Sequence, residues 1–148
     1  MPVTLNHTIV HAHDPQRTAQ FLAEMLGLEP ARQLGHFTVL QVGPTSLDFI
    51  QTDEEIRQRH FAFLVDESEF DSIFQRILSR GLNYWADPFR EQPGEINHWD
   101  DGRGVYFDDP NGHLIEAITR PYGSGGCEAE HPHPLLDCDE SQSPEASR

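Results

Sequence analysis

Hydrophobic and polar residues follow the same order twice along the chain. Residues 7–28 and 60–82 each begin with a histidine on a short apolar run and then pass an acidic residue. Both continue with apolar residues at helical spacing and end in Gly-Leu. Self-similarity of this kind is typical of a duplicated supersecondary unit. The pattern predicts a strand followed by an amphipathic helix in each half.

Each predicted helix carries its own start signal. Asp14 suits the N-cap of the first helix and Pro15 its first turn, while Asp66 and Glu69 have the spacing of a capping box at the second. Apolar residues then cluster on one side of each helix, which should therefore cover one face of a sheet. These residues are Phe21, Leu22, Met25 and Leu26 in the first helix, and Phe70, Ile73, Phe74, Ile77 and Leu78 in the second.

Further strands are predicted after each helix by short apolar runs bounded by turn signals. The runs are 36–42, 45–51, 83–87, 104–108 and 113–119. The strand expected after Leu28 is faint. The resulting order, βαβββ twice, predicts an α+β fold over residues 1–122. Its two modules, about 3–52 and 58–120, should form a concave mixed sheet with the helices on the outside.

Each module begins with a histidine and ends with a carboxylate. His7 and Asp48 in the first module correspond to His60 and Glu116 in the second. Because side chains alternate between the two faces of a strand, all four are expected opposite the apolar residues that pack on the helices. Imidazoles and carboxylates that converge on a concave surface suit a divalent metal, and this donor set accommodates Fe, Mn, Ni, Co or Zn.

Each of these residues also has an ordinary structural interpretation. A histidine at a strand edge often bonds to backbone or water, and a buried carboxylate is often satisfied by an arginine. Three such residues at repeat-equivalent positions favour a shared role instead. We therefore predict that the two histidines and the two carboxylates form a metal site.

Three segments of the chain, "LNHTIV", "RHFAFLV" and "GRGVYFDDPNGHLIEAIT", resemble the signature pieces of the vicinal oxygen chelate superfamily. This superfamily includes glyoxalase I, fosfomycin-resistance thiol transferases, extradiol dioxygenases and metal-free bleomycin-resistance proteins. The resemblance covers residues 3 to about 122. It implies that His7, His60 and Glu116 are metal ligands, and it places Asp48 where glyoxalase I has a fourth ligand, usually Glu. It also implies a homodimer, whose sites are completed across two chains in several families.

Two residues near the predicted ligands are candidates for proton transfer. Alternation places His11, together with Ile9, on the same face as His7, where Ile9 would contact substrate. His11 has a pKa near neutrality when unperturbed and suits a general acid or base, although an exposed histidine near a strand end is the alternative. Tyr106 is a candidate proton donor or, alternatively, a packed ring with a solvated hydroxyl.

The long polar loop 88–103 has the length and composition of a pocket rim. His98, Trp99 and Arg103 in this loop are candidate substrate-binding residues. Arg103 could hold an anionic substrate group or pair with a nearby aspartate of the same loop.

The last part of the chain differs from the rest in composition. Residues 123–148 combine Gly, Ser and Pro with six acidic residues and one arginine, so they are predicted to form a flexible acidic tail. Cys127 and Cys138 both lie there, which excludes a disulfide framework for the fold. With His131 and His133 they superficially offer four metal ligands, although the spacing and the Pro-rich setting are untypical of structural zinc sites.

The net charge of −15 argues against binding to nucleic acid and favours a small or cationic partner. No run approaches 18 apolar residues, and the N-terminus lacks the layout of a signal peptide. A cytoplasmic protein without membrane association is therefore expected.

The predicted function is that of a metal-dependent enzyme acting on a small molecule. The metal would chelate two adjacent substrate oxygens and stabilise an anionic intermediate. Lyase or isomerase, transferase and dioxygenase chemistry all remain open. The main alternative is a metal-free protein that binds or sequesters a drug, since the acidic body would attract a cationic molecule. A third possibility is an interaction module that recruits a partner through its tail.

Overall fold

The structure, a computed structural model of the chain, describes residues 2–138. The α+β class and the two βαβββ modules are confirmed. The first module consists of β1 (His7–Ala12), α1 (Pro15–Leu26), β2 (Arg32–Leu34), β3 (Phe37–Val42) and β4 (Thr45–Gln51). The second consists of β5 (His60–Leu64), α2 (Glu67–Ser79), β6 (Tyr84–Trp85), β7 (Gly104–Asp108) and β8 (Leu114–Ile118).

Both helices begin where the sequence signals predict. The Asp14 side chain accepts a hydrogen bond from the backbone N–H of Arg17, and the Asp66 side chain accepts one from Glu69. The first helix ends at Gly27, whose φ of 69° lies in the left-handed region that glycine adopts without strain. In the part of the chain that the structure describes, neither helix is long and apolar enough to span a membrane.

Each module forms its own four-stranded sheet, with its first strand at one edge. The orders are β1-β4-β3-β2 and β5-β8-β7-β6, and within residues 2–138 the two sheets are separate. The registers match: Asp48 pairs with the residue two positions after His7, and Glu116 pairs with the residue two positions after His60. The two histidine and carboxylate pairs are therefore equivalent by strand register as well as by sequence.

One hydrophobic core joins the two modules. The two helices contact each other, and Phe21 of α1 packs edge-on against Phe107 of β7, with 6.3 Å between ring centroids. Ile115 and Ala117 of β8 face this core, so Glu116 between them points to the helix-free side, as alternation predicts. Fully buried apolar residues of the core include Val10, Ala12, Leu22, Met25, Leu40, Phe49, Phe70, Ile73, Ile77 and Val105.

Residues 123–138, predicted as the beginning of a flexible tail, are docked in the structure. The backbone N–H groups of Gly123 and Gly125 donate to the Asp100 carboxylate, and the Asp100 N–H donates to the His131 carbonyl. A disulfide joins Cys127 to Cys138. We call residues 121–138 the C-terminal strap. Composition alone could not predict this docking, because it depends on a buried carboxylate elsewhere in the chain and on the cross-link.

The disulfide also decides the role of the two cysteines among the described residues. Since their sulfurs are bonded to each other, the four-ligand arrangement considered from the sequence does not form. Residues 139–148, which complete the predicted tail, lie outside the described residues.

His113 ties the two modules together as a buried structural residue. Its Nδ1 accepts the Arg59 N–H at 2.9 Å, and its Nε2 lies 2.9 Å from the His11 carbonyl oxygen. The ring is therefore the neutral form with its proton on Nε2, which donates to that carbonyl.

Replacing His113 with alanine is expected to lower the free energy of unfolding by about 3 kcal/mol, because a buried ring is removed from the core together with its two part-buried hydrogen bonds to the backbone. Urea denaturation followed by circular dichroism measures this change. His36→Ala is the control, since His36 is exposed and should change stability by less than about 0.5 kcal/mol. Equal stabilities for the two variants would contradict the linking role of His113.

Candidate metal centre

The first and last strands of the second module bring His60 and Glu116 into contact. The strands β5 and β8 are parallel neighbours, and the Nε2 of His60 lies 3.0 Å from Oε1 of Glu116. Glu116 is fully buried, while the His60 side chain is 41% exposed. The Nδ1 of His60 donates to the Leu114 carbonyl at 3.1 Å, which fixes the ring so that Nε2 faces the carboxylate.

The contact with Glu116 changes the titration of His60. The hydrogen bond from Nε2 to the carboxylate raises the pKa of His60, against the opposing effect of partial burial. The protonated ring donates from both nitrogens, to Glu116 and to Leu114.

In the metal-free protein, the contribution of His60 to stability should therefore depend on pH. Because the pKa of His60 is raised in the folded state, the contribution is full below its unfolded value of about 6.5 and is lost as pH rises through the folded pKa. His60→Ala should destabilise more at about pH 6 than at about pH 9, measured by chemical denaturation in chelator. An equal loss at both pH values would contradict the ion pair.

Two tyrosines extend the contact into a chain of hydrogen bonds. The Tyr122 hydroxyl donates to both Glu116 oxygens, at 2.6 and 2.5 Å, and lies 2.8 Å from the Tyr106 hydroxyl. Burial is the main cause that raises the pKa of both hydroxyls, so they stay protonated at neutral pH. The Tyr106 ring also stacks on His60, with 5.8 Å between centroids.

The structure thus brings Tyr106 into contact with the predicted ligands, as its position on β7 suggested. Tyr122 was not predicted, because it stands at the end of the predicted domain and beside a segment whose composition indicates disorder. Its aromatic side chain after the last strand was the only signal in the sequence.

The donors of the first module lie apart from this cluster. His7 is exposed on β1, where its Nδ1 lies 2.7 Å from the Asn6 amide oxygen, and Asp48 accepts from the Ser46 hydroxyl at 2.8 Å. Neither makes a hydrogen bond to His60 or Glu116. Among residues 2–138, no group of three or more His, Cys, Asp or Glu side chains is placed to hold a metal ion.

A cleft of about 710 Å³ lies between the first strands of the two modules, and both His7 and His60 line it. Apolar side chains make up much of the remaining wall, including Leu5 and Leu64, which are exposed. Ile9 and His11 on β1 are exposed as well, and His11 borders a separate depression of about 200 Å³.

The rim loop places its three candidate residues in different surroundings. Trp99 lies edge-on to Tyr106 and Tyr122, with centroids 6.1 and 6.3 Å apart. His98 is exposed, and its Nδ1 lies 3.2 Å from the Gly102 carbonyl oxygen. Trp99 therefore borders the cluster around Glu116, and His98 faces solvent.

Arg103, the third candidate in this loop, is bound by the second helix. Its guanidinium pairs with Glu67 at 2.9 Å and with Asp71 at 2.8 Å, and it lies over the Phe70 ring. The partners are thus carboxylates of α2, rather than the loop aspartates considered from the sequence. The loop 88–103 folds back over α2. This contact joins residues more than 30 positions apart, so no local pattern in the sequence predicts it.

Comparison with known proteins agrees with this architecture. Residues 4–117 match the family model of the Glyoxalase/Bleomycin resistance protein/Dioxygenase superfamily. The chain belongs to this superfamily. The resemblance to vicinal oxygen chelate proteins in the sequence is therefore confirmed.

Three similar proteins illustrate the comparison. The chain is 31% identical over 122 residues to the metallothiol transferase FosB of Shouchella clausii (strain KSM-K16), covering 78% of this chain and 79% of that protein. It is 56% identical to the oxidase ChaP-H2, with a TM-score of 0.83, covering 85% of this chain and all of that one. The fosfomycin resistance protein FosX of Listeria monocytogenes, solved as a mutant complexed with Mn(II), shares the fold at 20% identity and a TM-score of 0.63, covering 83% and 94% of the two chains.

The superfamily match covers His7, Asp48, His60 and Glu116, and it ends before Tyr122. The relatives support assignment to the metal-dependent small-molecule enzymes of this superfamily. The contact that Tyr122 makes with Glu116 is a feature of this chain outside the matched region.

Proposed function

We propose that the protein is a divalent-metal-dependent oxidase of a small molecule that carries two adjacent oxygens. The observation that carries this proposal is the pair of His60 and Glu116, aligned on neighbouring strands at the position of the predicted ligands. Oxidation is favoured over group transfer by the relatives named oxidases ChaP-H1 and ChaP-H2, which are 55% and 56% identical over nearly their full lengths.

The donor pair fits a metal ion. Ligand atoms about 2.1 Å from an ion and about 90° apart would be about 3 Å from each other, which is close to the observed separation of Nε2 and Oε1. A ligating histidine usually donates its other N–H to a carbonyl or carboxylate, and His60 does so to Leu114. Binding of an ion requires His60 to release the proton that Nε2 donates to Glu116.

We assign the third ligand to His7 of a second copy of the chain, and we keep Asp48 as a candidate fourth. His7 is exposed on an edge strand and makes no hydrogen bond with Glu116 within its own chain. Exposed apolar residues share the helix-free faces, with Ile9 and Leu64 51% and 61% exposed. A homodimer would cover these faces and bring the first strand of one copy toward the last strand of the other.

The substrate that suits this site is an uncharged, hydroxylated aromatic molecule. Arg103 is held by two carboxylates, and the chain contains no lysine. Among the described residues, no arginine forms an ion pair or hydrogen bond with the side chains of His60, Glu116, Tyr106 or Tyr122. A phosphonate or a glutathione carboxylate would lack the cationic groups that it needs, whereas Trp99 offers an aromatic wall.

Each part of the reaction can be assigned by its chemistry. A bound divalent ion would polarise adjacent substrate oxygens and stabilise negative charge on them. Oxidation removes two electrons and two protons from a hydroxylated substrate, and dioxygen takes them up as hydrogen peroxide. Tyr106 and Tyr122 hold protons beside Glu116, and Trp99 shields that side from water. His11, exposed on β1, remains the candidate for general acid or base catalysis at the rim.

Metal analysis combined with oxygen uptake tests the proposal. The purified protein, reconstituted with Fe(II) or Mn(II) under argon, is expected to bind the metal stoichiometrically. It should then consume oxygen with catechols, whose two hydroxyl groups are adjacent, in a way that a chelator abolishes. Metal binding without oxygen uptake on any such compound would leave the metal centre in place and contradict the oxidase assignment.

A metal-free protein that binds a cationic drug is the second candidate. It is favoured by the Glu116 carboxylate, whose two oxygens are already hydrogen-bonded by protein groups, and by the net charge of −15. Failure to bind either metal, together with drug affinity unchanged by chelator, would support this candidate over the oxidase.

A further inference from the structure

We propose that Tyr122 is a positioning residue for Glu116, and that the C-terminal strap is therefore part of the metal centre. This inference rests on the proposed function, because it assigns Glu116 as a ligand. It goes beyond the superfamily match, which ends at residue 117.

The hydroxyl groups of Tyr106 and Tyr122 both donate toward the Glu116 carboxylate. A phenol hydroxyl has one proton, and that of Tyr122 is donated to Glu116. The Tyr106 hydroxyl, 2.8 Å away, must then donate to the Tyr122 oxygen. Both tyrosines thus direct their donors toward a fully buried carboxylate, whose other partner among the described residues is His60.

The consequence for Glu116 follows from its burial. Its carboxylate is fixed by two donors, His60 on Oε1 and Tyr122 on both oxygens. If His60 and Glu116 held an ion, His60 would no longer donate to the carboxylate, and Tyr122 would remain as its protein donor. The hydroxyl therefore keeps the ligand in place without contacting the ion. Outer hydrogen-bond partners of metal ligands usually contribute 10- to 100-fold in affinity, so about that factor is expected here.

The strap holds Tyr122 in this position through its own contacts. His133, 3% exposed, packs on the Tyr122 ring with 3.9 Å between centroids and on Trp99 with 4.8 Å. Gly125 approaches Asp100 so closely that a Cβ at this position would lie 3.0 Å from the Asp100 Cα. The disulfide between Cys127 and Cys138 closes the loop that contains His133. Contacts between the strap and the rim loop 88–103 therefore help to fix the position of the Tyr122 ring.

Cobalt binding tests the proposal with a readout that does not depend on catalysis. Apo protein is titrated with Co(II), followed by calorimetry and by the visible absorption bands of the bound ion. Tyr122→Phe is expected to bind Co(II) about 10- to 100-fold more weakly than the parent, with altered bands. Tyr84→Phe is the matched control, since no hydrogen bond of the Tyr84 hydroxyl is found in residues 2–138 and its ring packs on Phe74. This variant should bind like the parent.

Equal or tighter Co(II) binding by Tyr122→Phe would overturn the inference, and tighter binding would mean that the hydroxyl competes with the ion. Failure of the parent protein to bind Co(II) would instead overturn the proposed metal centre itself.

Tyr122 is 42% exposed, so loss of its hydroxyl should leave the fold intact. Thermal unfolding of the apo variant checks this, and Tyr106→Phe, which removes the donor to Tyr122, should weaken binding in the same direction.

A second variant tests the strap itself. Cys127→Ser combined with Cys138→Ser opens the closed loop while leaving every side chain around Glu116 unchanged. We expect weaker Co(II) binding, by a smaller factor than for Tyr122→Phe, because the strap then holds Tyr122 less firmly. If the double variant bound Co(II) as tightly as the parent, Tyr122 alone would position Glu116, and the strap would make no contribution to metal affinity.

Discussion

Glu116→Gln is expected to lose metal binding by more than about 100-fold, beyond the range typical of outer partners. The substitution keeps the shape of the side chain and replaces one charged oxygen by an amide, so the packing of β8 should be preserved. Loss of the negative charge removes most of the attraction for a divalent ion at a fully buried site. Calorimetry with Co(II) and metal analysis after dialysis measure the loss.

The control for this variant is Glu67→Gln, an exposed carboxylate on α2 whose partner is Arg103. It removes the same charge from the protein and should leave the metal content unchanged. Asp48→Asn, at the repeat-equivalent position, then decides whether a second carboxylate takes part as a fourth ligand. Metal content in Glu116→Gln equal to that of the parent would contradict the assignment of the ligand.

The relative placement of His60 and Glu116 could be predicted from the sequence because local rules govern it. Alternation alone placed Glu116 on the face opposite Ile115 and Ala117, and the structure has it there. The repeat predicted that His60 and Glu116 lie on the first and last strands of one module. Parallel pairing of those strands then brings the two side chains together.

The remaining contacts depend on segments far apart in the chain, and no local pattern reports them. Arg103 pairs with α2 because the loop before β7 folds back over the helix. Tyr122 reaches Glu116 because residues 123–138 dock on Asp100, which is a buried acceptor in the middle of a polar loop. The average composition of residues 123–138 predicts disorder. A few specific hydrogen bonds and the disulfide hold the segment in place despite that composition.

The two modules share one strand register but differ in the residue that faces the carboxylate. Opposite Glu116 on the neighbouring strand the second module has Tyr106, and opposite Asp48 the first module has Val39. The tyrosine chain therefore exists only in the second module, where the carboxylate is longer and fully buried. In the first module His7 lies against Asn6 and Asp48 accepts from Ser46, so the histidine and the carboxylate make separate hydrogen bonds there.

Mixing two inactive variants tests whether the site is shared between copies. His7→Ala and Glu116→Gln should each bind little metal alone. In a C2 dimer with shared sites, a mixed pair contains one complete site, formed by His7 of one variant with His60 and Glu116 of the other. Unfolding and refolding an equimolar mixture should therefore restore about one quarter of the parent sites, at random pairing.

Metal analysis of the refolded mixture, beside each variant refolded alone, measures this recovery. A mixture of His60→Ala with Glu116→Gln is the matched control, since both changes lie in the second module and each possible site would then lack one ligand. Recovery in the first mixture alone would place His7 across the interface. No recovery in either mixture, from variants that form dimers like the parent, would place all three ligands within one chain, so that β1 must move toward Glu116 when the ion binds.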